Sequence, residues 1–470
     1  MTLGRHRYDH VIVGAGVGGS VLAGRLAAAG RSVLLLDAGR DAQPATGSDA
    51  SFFTALADPD RSFADVFVSA ARGTAPIPYR LGRGIGGGAQ INGMLATPAL
   101  RSDIDRWAVD HDLATWAWPH IAVSFDDHLL PLEQPNQSEW GSVDRALVDA
   151  AIGLGHAMCP DYRAGALGVG PGWFTRRAGR RVTPADVYLP LGGTNLTVRT
   201  GVAVAHVVVV DSRATGVVTD TGELIEADEV VLAAGAFETA TLLRRSVQGG
   251  HRRHRVVDHP SIRFGLRLRE PNDPTGLVAS TLLRWSSTDG ESDLQLLPLN
   301  HLGSTADPHL AGLMVGLMNV RSVGSIAVDS SGHRARVELN LLADDQDRRR
   351  MREAARHMAA LVCSDPFAEI VEDVFIDDRG TTLDGLALDD DDALDRWMLT
   401  SIGDTFHAGS TCPMGGSADR ARVVDSSGHV IGTRSLRVCD ASMFPDLPTA
   451  NPYLPLVMVA EQIALRTLAD

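Results

Sequence analysis

The chain has 470 residues, 44% of them hydrophobic and 21% charged, and carries a formal net charge of −15. That length suggests two domains or one elaborate one, with a large core. The acidic balance excludes a nucleic-acid backbone as a natural partner, because phosphate binding needs clustered positive charge.

All 43 basic residues are arginine, a pattern better explained by codon bias than by function. The four cysteines, Cys159, Cys363, Cys412 and Cys439, form no CxxC pair. This argues against a disulfide framework or a zinc site and fits reduced thiols. The opening MTLGRHRYDH lacks the apolar core of a signal peptide. No run reaches the roughly 20 apolar residues of a membrane helix. A soluble, cytoplasmic protein is expected.

The first elements are α/β. HVIVGAG reads as a short buried strand, VGGSVLAGRLAAAG as a helix ending at Gly30, and SVLLLDAG as a second buried strand. Such a βαβ unit calls for a right-handed crossover and a parallel sheet. Residues 41–80 are less regular, and a glycine-dense loop, LGRGIGGGAQINGM, follows. Next comes a region with Trp107, Trp116 and Trp118, helical around HIAVSFDDHLLPLE. From residue 195 short strands return in NLTVRT, AVAHVVVVDS, RATGVVTDTG and IEADEVVLAAGA. HRRHR (251–255) reads as a solvated loop. Residues 260–345 alternate like strands in STLLRW, DLQLLPL and GSIAVDSSGHRARVELNLL. The segment DQDRRRMREAARHMAALV reads as a helix with its arginines on the solvated side. The acidic run Asp389–Asp392 suits a solvated loop or a helix start.

Gly14, Gly16 and Gly19 stand at GxGxxG spacing between the first strand and the first helix. The first glycine permits the tight turn, the second lets backbone approach a pyrophosphate, and the third permits close helix–strand packing. Unpaired N–H groups at the helix start would face the phosphate. Asp37 ends the second strand, where a carboxylate can accept hydrogen bonds from an adenosine ribose. The fingerprint alone admits FAD or a nicotinamide. Its place near the N-terminus, the DAG after the second strand and the small residues 233–236, Ala234 among them, favour FAD.

Taken in order, these motifs resemble the glucose–methanol–choline oxidoreductases, flavoenzymes that oxidise alcohols. The likeness spans nearly the whole chain. It rests on GRGIGGGAQINGM, DIDRWA, GRRVTPADVYLP, NLTVRTGVAV, EVVLAAGAFETATLLRRS, VVDHP, HAGSTCPMGG, LRVCDASMFPDLP and NPYLPLVMVAEQIA. The resemblance implies a discontinuous, Rossmann-like FAD domain (1–105, 195–260 and 420–470). A substrate domain built on an antiparallel sheet would occupy 106–194 and 261–419. Gly14, Gly16, Gly19 and Asp37 would hold the adenosine end, with the Val204 backbone near the adenine. Gly86, Gly87, Asn92 and Gly93 would pass beside the flavin. Asp440 and Ala441 would lie near the pyrophosphate, and Asn451 and Pro452 beside the isoalloxazine ring. Some relatives attach FAD through a histidine where this chain has Ile91, so non-covalent FAD is expected. Ser410 occupies a usual glycine position, Asp37 stands where glutamate is commoner, and the chain is shorter than many relatives.

The chemistry follows from the same motifs. Removing a hydride from an alcohol carbon requires the hydroxyl proton to leave, a task suited to neutral imidazole. The resemblance assigns this role to His407. Asn451 cannot be a base, so it would orient the substrate oxygen and stabilise developing negative charge. In TFHAGSTCPMGG, Ser410, Cys412 and Met414 then shape the turn and pack. His111, His120 and His128 read as packing or surface, Asp103, Asp105 and Trp107 as structural, and His259 as a loop-fixing residue. No metal is expected. The electron acceptor would be oxygen or another molecule, with dehydrogenase favoured over oxidase. A cyanohydrin-type lyase with structural FAD, or a non-enzymatic flavin-binding protein, uses the same motifs. Composition and shortness are compatible with a bacterial biosynthetic or redox-cofactor pathway.

Overall fold

The computed structural model describes residues 7–40, 52–63, 66–71, 73–126, 128–247, 253–304, 306–329 and 335–470. HRRHR therefore lies partly outside the described residues. Two large sheets organise the chain.

The first sheet has seven strands. Its parallel part runs Leu196–Thr200, Val33–Asp37, Tyr8–Val13, Leu224–Leu232, Leu436–Val438. Val11, Ile12, Leu34, Leu35, Val230 and Val231 are fully buried, as expected of parallel strands covered on both faces. The long strand Leu224–Leu232 serves two partners. Its C-terminal half pairs in parallel with Leu436–Val438, while its N-terminal half pairs antiparallel with Arg213–Thr219. Arg213–Thr219 in turn pairs antiparallel with Val204–Val210. The helices Val17–Ala28 and Tyr453–Ala469 pack against one another beside this sheet, joined by Arg25 and Glu461 at 2.7 Å. Trp107, Trp116, Ile121 and Leu130 belong to this core as well.

The second sheet is antiparallel, in the order Val371–Phe375, Pro260–Leu268, Leu310–Leu317, Leu294–Leu299, Thr281–Trp285, Gly168–Pro171. Successive side chains of a strand point to opposite faces. Ile262, Phe264, Leu294, Leu296, Leu313 and Val315 accordingly fill a core with the helices Ser142–Gly153 and Asp345–Val362. Ser261, Arg263, Gln295, Leu297, Met314 and Gly316 instead face a large cavity.

Two readings from sequence need correction. Arg253–Val256 is a strand paired with Gly324–Val328, and His254 is buried with Nδ1 2.9 Å from the Thr411 carbonyl. In the helix Asp345–Val362, Arg350 is buried rather than solvated. It is paired with Asp347 and, at 3.1 Å, with Asp293, which removes the penalty of an isolated buried charge. Asp390 caps the helix Asp391–Ser401 by accepting from the Ala393 N–H, as a helix start requires.

Candidate active site

The cavity between the two sheets measures about 1400 Å³. Its first wall is made largely of backbone. Gly14 has φ +105°, and a Cβ there would lie 2.3 Å from the Ala233 carbonyl oxygen. At Gly19 a Cβ would lie 1.9 Å from the Gly14 oxygen, so this position serves packing and does not line the cavity. Gly16 faces the opening and caps Val17–Ala28 with no side-chain hydrogen bond and no acidic residue in the first turn. The helix therefore presents free N–H groups to an anion.

Asp37 also lines the cavity. Its Oδ2 accepts from the Ala15 N–H at 2.8 Å, and its Oδ1 from Gly39 at 2.7 Å and Gly84 at 3.1 Å. Burial raises its pKa, opposed by these three donors. The glycine-rich loop crosses the fingerprint here: the Gly86 N–H donates to the Ala15 carbonyl at 2.8 Å, which braces the turn without lining the cavity. Gly87, Asn92 and Gly93 do line it, and Arg181 holds the loop by donating to Asn92 Oδ1 at 2.7 Å and the Ala89 carbonyl at 2.9 Å. Val204, Ala234, Asp440, Ala441 and Pro452 complete this wall. Asp440 is fixed by the Gly235 N–H, Thr239 and the Ser442 N–H, and burial raises its pKa. An open helix N-terminus, a backbone cradle that excludes side chains and the half-buried Asp37 carboxylate beside it together fit the phosphates and ribose of a dinucleotide.

His407 and Asn451 reach the same cavity from separate segments. A two-residue antiparallel bridge between Val257 and Gly409 sets VVDHP beside HAGSTCPMGG. Asp258, 1% exposed, fastens that junction. Its Oδ1 accepts the N–H groups of His259 at 2.8 Å and His407 at 3.0 Å, and its Oδ2 accepts the Tyr79 hydroxyl at 2.7 Å. The Tyr79 oxygen in turn accepts the Ala408 N–H at 3.0 Å. The result is an imidazole pair: His407 Nδ1 lies 3.0 Å from His259 Nδ1, with the rings at 87°. Burial, then the neighbouring His259, holds the His407 pKa well below its ordinary value, although the ring opens onto the cavity. His259 is fully buried, which lowers its pKa to about 3. Both rings are neutral at pH 7.

Asn451 is braced differently. Its Oδ1 accepts from Gln295 Nε2 at 3.1 Å, across the gap to the second sheet. Two residues earlier, Thr449 is pinned by buried Asp103, which accepts its N–H at 2.8 Å and its hydroxyl at 2.5 Å. Buried Arg284 donates to the Thr449 carbonyl at 2.9 Å. Asp103 is structural as expected, and what it structures is the approach to Asn451. Sequence reading missed Gln295, although it is the polar residue of an apolar strand at a cavity-facing position of the alternation. It gave His259 a loop role and not a place against His407.

The other candidates of the HAGSTCPMGG segment fall away. Cys412 is fully buried, and burial pushes its thiol up to about 12, so no thiolate is available at neutral pH. Met414 is core, and Ser410 is buried at φ +59°. All four cysteines are free. Among the described residues no cluster could hold a metal ion, and no helix is long and apolar enough to cross a membrane.

The sequence signature of the GMC oxidoreductases matches residues 8–261 with its N-terminal part and 320–460 with its C-terminal part. The chain belongs to the GMC oxidoreductase family. It is 28% identical to an oxygen-dependent choline dehydrogenase of Photobacterium profundum, over 97% of this chain and 92% of that one. It is 27% identical to a 5-(hydroxymethyl)furfural oxidase of a Methylovorus species, over 97% and 98%. Among solved structures, pyridoxine 4-oxidase from Mesorbium loti superposes with a TM-score of 0.87 at 25% identity, over 99% of this chain and 100% of that one. A formate oxidase of Aspergillus oryzae, solved in a study of FAD modification, shares the fold with a TM-score of 0.84 at 20% identity, covering 99% and 98%. Family membership makes the protein an oxidoreductase and points to FAD as its cofactor.

Proposed function

We propose that the protein oxidises an alcohol to an aldehyde or ketone, with His407 as the base, Asn451 orienting the substrate oxygen and FAD held non-covalently. The observation that carries this reading is the convergence of a neutral His407 and a braced Asn451 on the cavity that holds the glycine cradle. Bound FAD would supply what these side chains lack, acceptance of a hydride from the alcohol carbon. His407 takes the hydroxyl proton as the carbonyl forms. Gln295 engages the Asn451 carbonyl oxygen, so the Asn451 amide N–H groups are left to donate to the substrate oxygen. Ile91, buried on the cavity wall, has no group that could form a bond to the cofactor, which supports non-covalent attachment.

The substrate wall favours an uncharged alcohol. Leu297, Leu299, Met314 and Met318 dominate it. Of the charged groups on that side of the cavity, Arg263 is paired with Asp378 at 3.1 Å, while Asp377, which accepts from Thr381 at 2.7 Å, and Arg80 keep their charges. Anaerobic addition of 5-(hydroxymethyl)furfural, pyridoxine, benzyl alcohol or choline tests both points through the flavin absorbance. The expected result is bleaching by an uncharged alcohol and none by choline. Aldehyde release from a cyanohydrin with the flavin still oxidised would replace the reading with a lyase. FAD binding with no turnover in any acceptor assay would leave a binding protein.

A further inference from the structure

We propose that His259 is a positioning residue that holds His407 in its Nδ1-protonated tautomer, leaving Nε2 free to accept the substrate proton. The inference rests on the reading of His407 as the base.

Two neutral imidazoles meet through their Nδ1 atoms at 3.0 Å. One must donate and the other accept, because each neutral ring carries one proton and one lone pair. If His259 donated, His407 would accept at Nδ1 and carry its proton on Nε2. That tautomer can take no proton from an alcohol at Nε2. If His407 donates, its Nε2 lone pair stays free. His259 then accepts at Nδ1 and keeps its own proton on Nε2.

The surroundings select the second arrangement. His259 Nε2 is buried, and the Met318 and Pro448 carbonyls face the ring without reaching hydrogen-bonding geometry at that nitrogen. A carbonyl can only accept. With Nδ1 turned to His407, a ring proton kept on Nε2 is the arrangement that two accepting carbonyls against the ring favour. The Asp258 oxygens hold the His259 and His407 backbone N–H groups, the Tyr79 hydroxyl and, at 3.4 Å, the Thr405 hydroxyl.

The charge state of the partner separates this device from a Ser-His-Asp arrangement. A carboxylate behind the base fixes the tautomer and also stabilises the imidazolium. A neutral, buried imidazole fixes the tautomer while adding no negative charge. During turnover the substrate O–H bond breaks, an N–H bond forms at His407 Nε2, and the Nδ1–H to His259 stays in place.

Imidazole 15N spectra of the wild-type holoenzyme at pH 7.5, with His407 assigned by its loss in His407→Ala, read the tautomer without any substrate. The inference requires a protonated Nδ1 and a bare Nε2; the reverse overturns it. Two variants supply a kinetic arm with whichever probe alcohol bleaches the wild type. His259→Asn keeps an acceptor near Nδ1 and should hold the rate constant of flavin reduction within about tenfold, whereas His259→Leu should lower it about 100-fold at unchanged alcohol affinity and FAD content. Equal losses in the two variants would make His259 merely structural. If His407→Ala leaves reduction unchanged, the base assignment fails instead, whatever tautomer the spectra show.

Discussion

The wall shaped to fit a dinucleotide and the seam that carries His407 are built from different materials. On the first, backbone makes the surface: Gly14 admits no Cβ, Gly19 behind it admits none against the Gly14 oxygen, and the two carboxylates, Asp37 and Asp440, are held by main-chain N–H groups. At the seam, side chains work in pairs, His407 with His259 and Asn451 with Gln295, and the members of each pair come from distant segments. A backbone cradle has one solution and tolerates no added atom. A paired side-chain site can be retuned one group at a time, which suits the part of an enzyme that must change when its substrate changes.

The largest expected effect separates these materials. Gly19→Ala places a methyl 1.9 Å from the Gly14 oxygen, against backbone that cannot yield. Overpacking of this kind costs about 3 kcal/mol. The variant should purify almost free of FAD, whereas His407→Ala should retain a full complement; absorbance at the flavin band against protein concentration decides it. A fully loaded Gly19→Ala would end the contrast.

A smaller effect concerns the join between the two regions. His111 bridges Asp446 and Asp419 at 2.8 Å each, and Asp446 also holds Arg255 of the strand leading to His259. The Asp446 hydrogen bond, with help from Asp419, raises the His111 pKa. A raised folded value means that this stability is fully present below the unfolded pKa of about 6.5 and is lost as pH rises through the folded one. His111→Gln should therefore be destabilised by about 2 kcal/mol at pH 5.5 relative to the wild type, with the gap shrinking by pH 9. Urea melts at the two pH values measure this, and a gap independent of pH would contradict it.

The smallest effect has the opposite sign. Ser410 sits at φ +59° in the His407 loop, fully buried, with no hydrogen-bond partner for its hydroxyl. Left-handed backbone costs an L-residue about 1 kcal/mol or more, and the lone hydroxyl adds to that. Ser410→Gly should stabilise the protein by about 1 kcal/mol, read as a raised Tm with flavin reduction unaltered. A lowered Tm would show that the hydroxyl contributes something the geometry does not reveal.

The same contrast decides what the sequence made legible. The dinucleotide wall could be read because its constraints act on neighbours in sequence: a buried strand, glycines at fixed spacing and a carboxylate at the end of the next strand. The segments that return to the first sheet could be read as short strand-like runs separated by turn residues. His407 and Asn451 were reached only through resemblance to a family. Their partners are single residues far away along the chain, and nothing local marks His259 as facing His407. Gln295 was within reach, since alternation along Leu294–Leu299 puts it on the face opposite Leu294 and Leu296. Charge density misled twice. His254 and Val256 point inward while Arg253 and Arg255 are less buried, a period of two inside HRRHR that marks a strand. Arg350 is buried because Asp293, on another element, neutralises it.

Rapid anaerobic mixing of an uncharged alcohol with wild-type protein and with His407→Ala, matched for bound FAD, compares the rate of flavin bleaching at saturation. General-base catalysis contributes about 10²–10⁴-fold, so His407→Ala should bleach slower by at least about 100-fold while binding the alcohol with unchanged affinity. Bleaching at the wild-type rate would contradict the assignment of His407 as the base.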